Sequence, residues 1–336
     1  MPLTDFDKLF NSFSSLRVGV IGDAMLDTYW WGKVDRISPE APVPVVAVTK
    51  REQRIGGAGN VALNIQSLSA AVSVITILGN DADGEQLISL LKDNNIDTGF
   101  LIKSDERITT NKIRIISRNQ HMMRLDAEIT SMLSAADEKK LLDRFTDYIK
   151  EQQPHIVILE DYNKGVLTET AIEKIISLCR QNNILTAVDP KRKNFFIYKH
   201  ADIFKPNLHE AKEGLNIIGD EVSEDLLSTI HQALHEQLQH DISLITLSEK
   251  GAYYQSEKEK ALIPTHIRSI ADVSGAGDTV IAVASVVYAA TKNKLLMAEI
   301  ANIAGGLVCE EVGTVAIDKN KLLKECKKLL SAAKHY

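Results

Sequence analysis

The segment Asp272-Val273-Ser274-Gly275-Ala276-Gly277-Asp278-Thr279 runs directly into an apolar stretch, Val280 to Ala290. That stretch is far too short to cross a bilayer, which needs roughly 20 residues, and reads as a buried helix. Two glycines, three and one residues before Asp278, therefore sit at a helix start. Glycine lets backbone amides approach a ligand closely, and the first amides of a helix lie unpaired at the positive end of its dipole. Gly275, Ala276 and Gly277 form a candidate anion hole for a phosphate. Asp278, on the same turn, is placed to take a proton from a hydroxyl attacking that phosphate, which makes it the candidate catalytic base. A plain helix start with Ser274 or Asp278 as N-cap explains the spacing alone equally well.

Around this turn, short Val- and Ile-rich runs alternate with amphipathic stretches. Strands are predicted at Arg17 to Gly22, Val72 to Leu78, Ile156 to Leu159, Leu185 to Val188 and Ile242 to Leu247. Apolar positions at three- and four-residue spacing predict helices at Ala58 to Leu68, Gly84 to Asn94, Ala135 to Gln152, Thr168 to Asn182 and Glu224 to Leu238. Three more, around Ala276 to Lys292, Leu295 to Val312 and Lys319 to Ala333, close the chain. The expected fold is α/β: one domain over residues 1–336, with a doubly wound, mostly parallel sheet and helices on both faces.

Two segments, about 28–49 and 100–126, break the rhythm and predict a small β-sheet lid. In the first, Ser38-Pro39-Glu40-Ala41-Pro42-Val43-Pro44-Val45-Val46 has too few ladder donors for a central strand. In the second, a period of two places Lys112, Arg114, Ile116 and Arg118 on one face and Ile113 and Ile115 on the other. Trp30 and Trp31 fall in the lid, to cover a ligand or pack against a second subunit.

A net charge of -6 and a pI near 5.9 give no basic field for a nucleic acid or an anionic membrane, which leaves small molecules as the expected partners. Cys179, Cys309 and Cys326 are scattered and outline neither a disulfide framework nor a zinc site. Met1-Pro2-Leu3-Thr4-Asp5-Phe6-Asp7 lacks a basic, then apolar, export signal, so a cytoplasmic protein is expected.

Two common nucleotide signatures fail. Gly79-Asn80-Asp81-Ala82-Asp83-Gly84 is followed by Glu85 and Gln86 where a Walker loop needs lysine and Ser or Thr. Gly22-Asp23-Ala24-Met25-Leu26-Asp27 lacks the glycine turn of a dinucleotide fold. Asp27, just after the first strand, can grip sugar hydroxyls or serve as an ordinary N-cap or surface acid. In Gly56-Gly57-Ala58-Gly59-Asn60, the Gly56 and Gly57 amides can hold a polyol or phosphate and Asn60 can bond hydroxyls; tight helix packing explains the glycines as well.

The Gly56 to Asn60 cluster, Asn207-Leu208-His209-Glu210 and Asp272 to Thr279 occur in an order that resembles the ribokinase-like, pfkB-type carbohydrate kinases. Gly79 to Gly84 is similar to a further turn of that family, and Thr246-Leu247-Ser248-Glu249-Lys250-Gly251 to its nucleotide-side strand and loop. The resemblance implies an ATP-dependent kinase with a sheet lid over the sugar, often dimeric through the lids. It implies that Asn207, Leu208, His209, Glu210, Ser248, Gly251 and Asn302 serve the nucleotide, that Glu210 acts indirectly on Mg2+, and that a monovalent cation is a further candidate. Asn207 with Glu210 is also a plain capping-box variant, and His209 reads as a surface residue.

Within the family, three segments most resemble the kinases of D-glycero-D-manno-heptose 7-phosphate, which act on its anomeric hydroxyl. They are Gly22 to Asp27 with Tyr29 and Trp31, Arg36 to Val46, and Ser117-Arg118-Asn119-Gln120-His121 leading to Arg124-Leu125-Asp126. Asp161-Tyr162-Asn163-Lys164-Gly165 and Asp189-Pro190-Lys191 are similar to the same subgroup. A substrate with its own phosphate needs cations away from the reacting hydroxyl, and Lys112, Arg114, Arg118, Arg124 and Lys164 are the candidates, each also readable as a solvated or acid-paired residue. The chain ends 58 residues after Asp278, so a fused nucleotidyltransferase is not expected. A kinase of another sugar phosphate or nucleoside and a non-catalytic sugar sensor are the rival readings.

Overall fold

The computed structural model describes residues 4–332 except Asn119, Asp220, Glu221 and Ile267. Fourteen strands are found among them. The first eight are β1 (Arg17–Gly22), β2 (Ala24–Ile37), β3 (Pro44–Gly57), β4 (Ala71–Ile75), β5 (Ile77–Gly79), β6 (Ile102–Ser104), β7 (Asn111–Ser117) and β8 (Gln120–Ala127). The others are β9 (Ile156–Glu160), β10 (Leu185–Asp189), β11 (Ile203–Phe204), β12 (Ile242–Thr246), β13 (Ala252–Gln255) and β14 (Lys260–Ile263). The helices are α1 (Phe6–Ser12), α2 (Ala58–Ser67), α3 (Ala82–Asp93), α4 (Ala135–Gln152), α5 (Glu169–Gln181), α6 (Leu208–Gly214), α7 (Glu224–Leu238), α8 (Ala276–Thr291), α9 (Lys294–Val308) and α10 (Lys319–Ala332).

The main sheet runs β14-β13-β12-β11-β10-β9-β1-β4, parallel from β12 to β4 with an antiparallel β13–β14 edge. Its central strands are apolar on both faces because both are covered. Ile156, Ile158, Ala187 and Ile203 pack under α2, α8 and α9, while Val157, Leu159 and Val188 pack under α4, α5 and α7. The doubly wound α/β expectation holds. The helix expected to reach Val312 ends at Val308, and Cys309 caps it. Ala333, the expected end of the last helix, lies outside the described residues, as do Met1 to Leu3.

A separate small sheet, β3-β2-β7-β8, is formed by the segments expected to make the lid, with different bounds. Its first hairpin spans 24–57, because β2 and β3 keep pairing from Ile37–Pro44 back to Ala24–Gly57. Its second begins at Asn111; Ile102–Ser104 pairs instead with Ile77–Gly79 in a two-stranded ledge. The expected alternation holds along β7: Lys112, Arg114 and Ile116 share one face and Ile113 and Ile115 the other, in unbroken register with β2. The bulge lies in β8, where Met122 is skipped between the partners of Ile115 and Ile116, and Arg118 lies beyond the strand, turning the hairpin with φ 49. Asn119, quoted above at this hairpin, lies outside the described residues.

Candidate active site

Three neighbouring strands of the main sheet end on polar residues that share one face. Glu160 and Asp189 are register partners on β9 and β10, and Lys205 directly follows β11. Side chains alternate along a strand, so Glu160 lies on the side of Ile158, Asp189 on that of Ala187 and Lys205 on that of Ile203, in the layer beneath α8. This is the carboxyl edge, where open α/β sheets bind ligands.

Lys205 Nζ lies 2.8 Å from Asp189 Oδ2, and Lys191 Nζ 3.3 Å from Asp189 Oδ1. Burial alone would raise the Asp189 carboxyl; the two ammonium groups hold it below its ordinary value. Glu160 is 0% exposed, and among the described residues neither of its carboxylate oxygens has a donor. Burial, with Asp189 and Asp278 nearby, pushes that carboxyl well above the usual range.

Asp278 reaches this cluster from α8. The N-cap of α8 is Gly275, at φ 77, with no side-chain cap. Ser274 is not the cap, because its amide and hydroxyl both donate to Asp272 Oδ1, at 3.0 and 2.8 Å. Among the described residues the Gly277 and Asp278 amides find no protein acceptor, so this helix end is open to an anion. A Cβ at Gly275 would stand 2.9 Å from Asn60 Nδ2, whereas one at Gly277 would meet nothing closer than Lys205 Nζ at 3.7 Å.

The Asp278 carboxylate is 4% exposed. Asn60 Nδ2 donates to its Oδ2 and the Tyr162 hydroxyl to its Oδ1, each at 2.7 Å. Burial pushes the carboxyl up to about 6 against these two donors, a value at which a carboxylate accepts a proton readily near neutrality. Asn60, expected to bond hydroxyls, is instead fully buried and spends its amide on Asp278. Tyr162 is aimed by Asp23, whose carboxylate accepts the amides of Tyr162, Lys164 and Val166 at 2.8, 2.9 and 3.1 Å. Gly165, at φ 89, lets this loop close; a Cβ there would come within 2.0 Å of the Ser131 carbonyl.

Asp27 on β2 lies beside Gly56, and Gly56 and Gly57 close the paired strand β3. A Cβ at Gly56 would stand 2.6 Å from Asp27 Oδ2, and Asp27 Oδ1 pairs with Arg114 Nη1 at 2.5 Å. The expected cationic face is largely neutralised by acids: Lys112 lies 3.6 Å from both Asp126 and Glu128, Lys164 pairs with Glu128 at 2.8 Å, and Arg124 forks onto Asp126. Arg118 is exposed and has no acidic partner among the described residues.

Of the nucleotide-side residues, Asn207 and Glu210 form a full capping box on α6, with both bonds at 2.8 Å, and Glu210 Oε1 also takes Lys191 Nζ at 2.8 Å. Leu208 packs into the core layer of α4 and α5, and His209 is exposed. Ser248 is exposed at φ 54, Gly251 has φ 99 where a Cβ would strike the Ile263 carbonyl at 2.0 Å, and Asn302 donates to the Pro264 carbonyl at 3.0 Å. Glu160, Lys205 and the Tyr162 hydroxyl are the site residues that sequence reasoning missed. An acid closing the apolar run Ile156 to Leu159 was the available signal for Glu160.

Residues 15–321 match the pfkB family carbohydrate kinases. The chain belongs to this family. The family is one of carbohydrate kinases, a class that uses ATP with a divalent metal. The chain is 42% identical over 298 residues to the bifunctional protein HldE of Helicobacter pylori (strain HPAG1), covering 89% of this chain and 64% of that one. A second protein of that name, from Magnetococcus marinus, is 38% identical over 314 residues, covering 93% and 64%. The chain thus spans less than two thirds of the length of these relatives. Its fold is ribokinase-like: phosphofructokinase-2 from Escherichia coli in complex with potassium superposes with a TM-score of 0.78 at 17% identity, covering 94% of this chain and 99% of that one. Arabidopsis thaliana ribokinase complexed with ribose and ATP gives 0.71 at 16%, covering 92% and 99%. No helix among the described residues is long and apolar enough to cross a membrane.

Proposed function

We propose that the kinase transfers the γ-phosphoryl group of ATP to the anomeric hydroxyl of D-glycero-β-D-manno-heptose 7-phosphate. The product is the 1,7-bisphosphate, for ADP-heptose and lipopolysaccharide core synthesis in the cytoplasm. The observation that carries the reaction is a buried Asp278, its carboxyl raised to about 6, on the first turn of an uncapped helix. The open amides of that turn stabilise charge on the transferring group, and Asp278 takes the hydroxyl proton. Mg2+ bound with the nucleotide neutralises phosphate charge. Asp27 and the Gly56–Gly57 backbone face the sugar from the lid side, and its distant phosphate meets the exposed Arg118 of the lid hairpin together with Lys164 of the loop after β9. The heptose is favoured by the Arg36 to Val46 and Arg118 to Asp126 segments, together with the 38–42% identity to the HldE proteins.

One domain serves the whole reaction in this reading, and the subunits pair through the lids. A monovalent cation is part of the same proposal, in view of the potassium complex of the Escherichia coli neighbour. The test is ADP release from a panel of sugars and sugar phosphates, with and without K+. Turnover on heptose 7-phosphate well above that on unphosphorylated sugars is expected; preference for an unphosphorylated sugar overturns the substrate.

A further inference from the structure

The residue expected to act on the metal, Glu210, is held in the α6 capping box and by a cation: Oε2 takes the Asn207 amide and Oε1 the Lys191 ammonium, each at 2.8 Å. Glu160 is fully buried, with no donor to either carboxylate oxygen among the described residues. Register places it beside Asp189, and α8 brings Asp278 over both. One carboxylate oxygen from each of Glu160, Asp189 and Asp278 lies within 4.8 Å of the other two. Lys205 and Lys191 face the cluster from beyond β11 and β10, Tyr162 and Asn60 from the loop and α2. Four carboxyl groups, counting Glu210, meet only two ammonium groups here, so they cannot all be ionised and paired by the protein's own cations. Buried charge needs a partner, and hard oxygen donors select a hard divalent ion.

We propose that Glu160, Asp189 and Asp278 form a divalent-cation site that the protein fills without nucleotide, with Glu160 as its anchor. Asp189 and Asp278 each contribute a lone pair left over from their present partners, while Glu160 contributes both oxygens. The ion lets these carboxyl groups ionise together and faces the same space as the open Gly277 and Asp278 amides. It thus joins the site assigned above to phosphoryl transfer, and this inference rests on that reading.

The probe is Mn2+, titrated into the full chain without ATP and followed by electron paramagnetic resonance. One tight Mn2+ per chain is expected, weakened at least tenfold in Glu160→Gln and unchanged in Glu210→Gln. Glu160→Asp, which keeps the charge on a shorter arm, is expected to fall between, and circular dichroism reports whether each variant is folded. Absence of stoichiometric Mn2+ binding to the wild type overturns the site. So does Glu160→Gln binding as tightly as wild type, or loss confined to Glu210→Gln. ADP release from heptose 7-phosphate in the panel above is read separately, so a kinase that turns over but binds no Mn2+ on its own rejects this inference and leaves the function standing.

Discussion

Asp278 accepts one hydrogen bond on each carboxylate oxygen, from Asn60 and Tyr162, and keeps a further lone pair on both. That arrangement orients the group without consuming it. Asp278→Asn preserves shape and burial but cannot accept the proton; turnover is expected to fall about a hundred- to ten-thousand-fold, while sugar and ATP binding by calorimetry stay near wild type. Near-normal turnover in that variant removes Asp278 as base. Asp278 was legible in the sequence because two glycines at fixed spacing before an acid report on a single turn. Glu160 was not: nothing in Ile156 to Glu160 says that β10 and α8 will bring two more carboxylates to it.

The α8 start separates the roles of its two glycines. Gly275 sits at φ 77, where a side chain costs about 1–2 kcal/mol and would crowd Asn60, so Gly275→Ala is expected to lower both melting temperature and turnover. Gly277 has helical geometry and room for a methyl group. Gly277→Ala is expected to melt like wild type yet lose turnover, because the methyl group intrudes where an anion approaches the amides; unchanged kinetics count against the anion hole. A second element-level prediction concerns the seam of α7 and β12. Ser243 Oγ bridges His231 Nδ1 at 2.9 Å and His240 Nε2 at 2.6 Å, and burial pulls the two rings down to about 4 and about 3. Both are neutral when folded and free to protonate near 6.5 when unfolded, so their contribution is complete above pH 6.5 and is lost as pH falls toward 4. For His240 the loss is roughly 2 kcal/mol by pH 5. The melting temperature of the wild type should therefore drop more between pH 7.5 and 5 than that of His240→Gln; equal drops exclude the seam as the source.

The lid decides what the molecule presents to a partner. Register puts Asp27, Tyr29, Lys112, Arg114 and Asp126 on one face and Trp30, Ile113, Ile115, Met123 and Leu125 on the other. Met123 and Leu125 are 57% and 42% exposed, an apolar surface of the kind that a second subunit covers. Sedimentation should find a dimer for the wild type and a monomer for Met123→Asp with Leu125→Lys; a monomeric wild type rejects pairing through the lid. Much of this architecture was readable from the chain. Short apolar runs marked the central strands because burial on both faces leaves no alternation, and prolines marked the lid because they cannot donate to a ladder. The lid bounds and the bulge at Met122 of β8 were not, since pairing partners set where a hairpin stops. By itself the sequence determined the α/β rhythm, the resemblance to the kinase family and the turn carrying Asp278, all properties of neighbouring residues. The tertiary structure alone decided that Glu160, Asp189, Lys205 and Tyr162 surround that turn and that the lid cations are paired with acids. Those outcomes follow from strand order and register, which join segments far apart in the chain through backbone hydrogen bonds that every residue type can make.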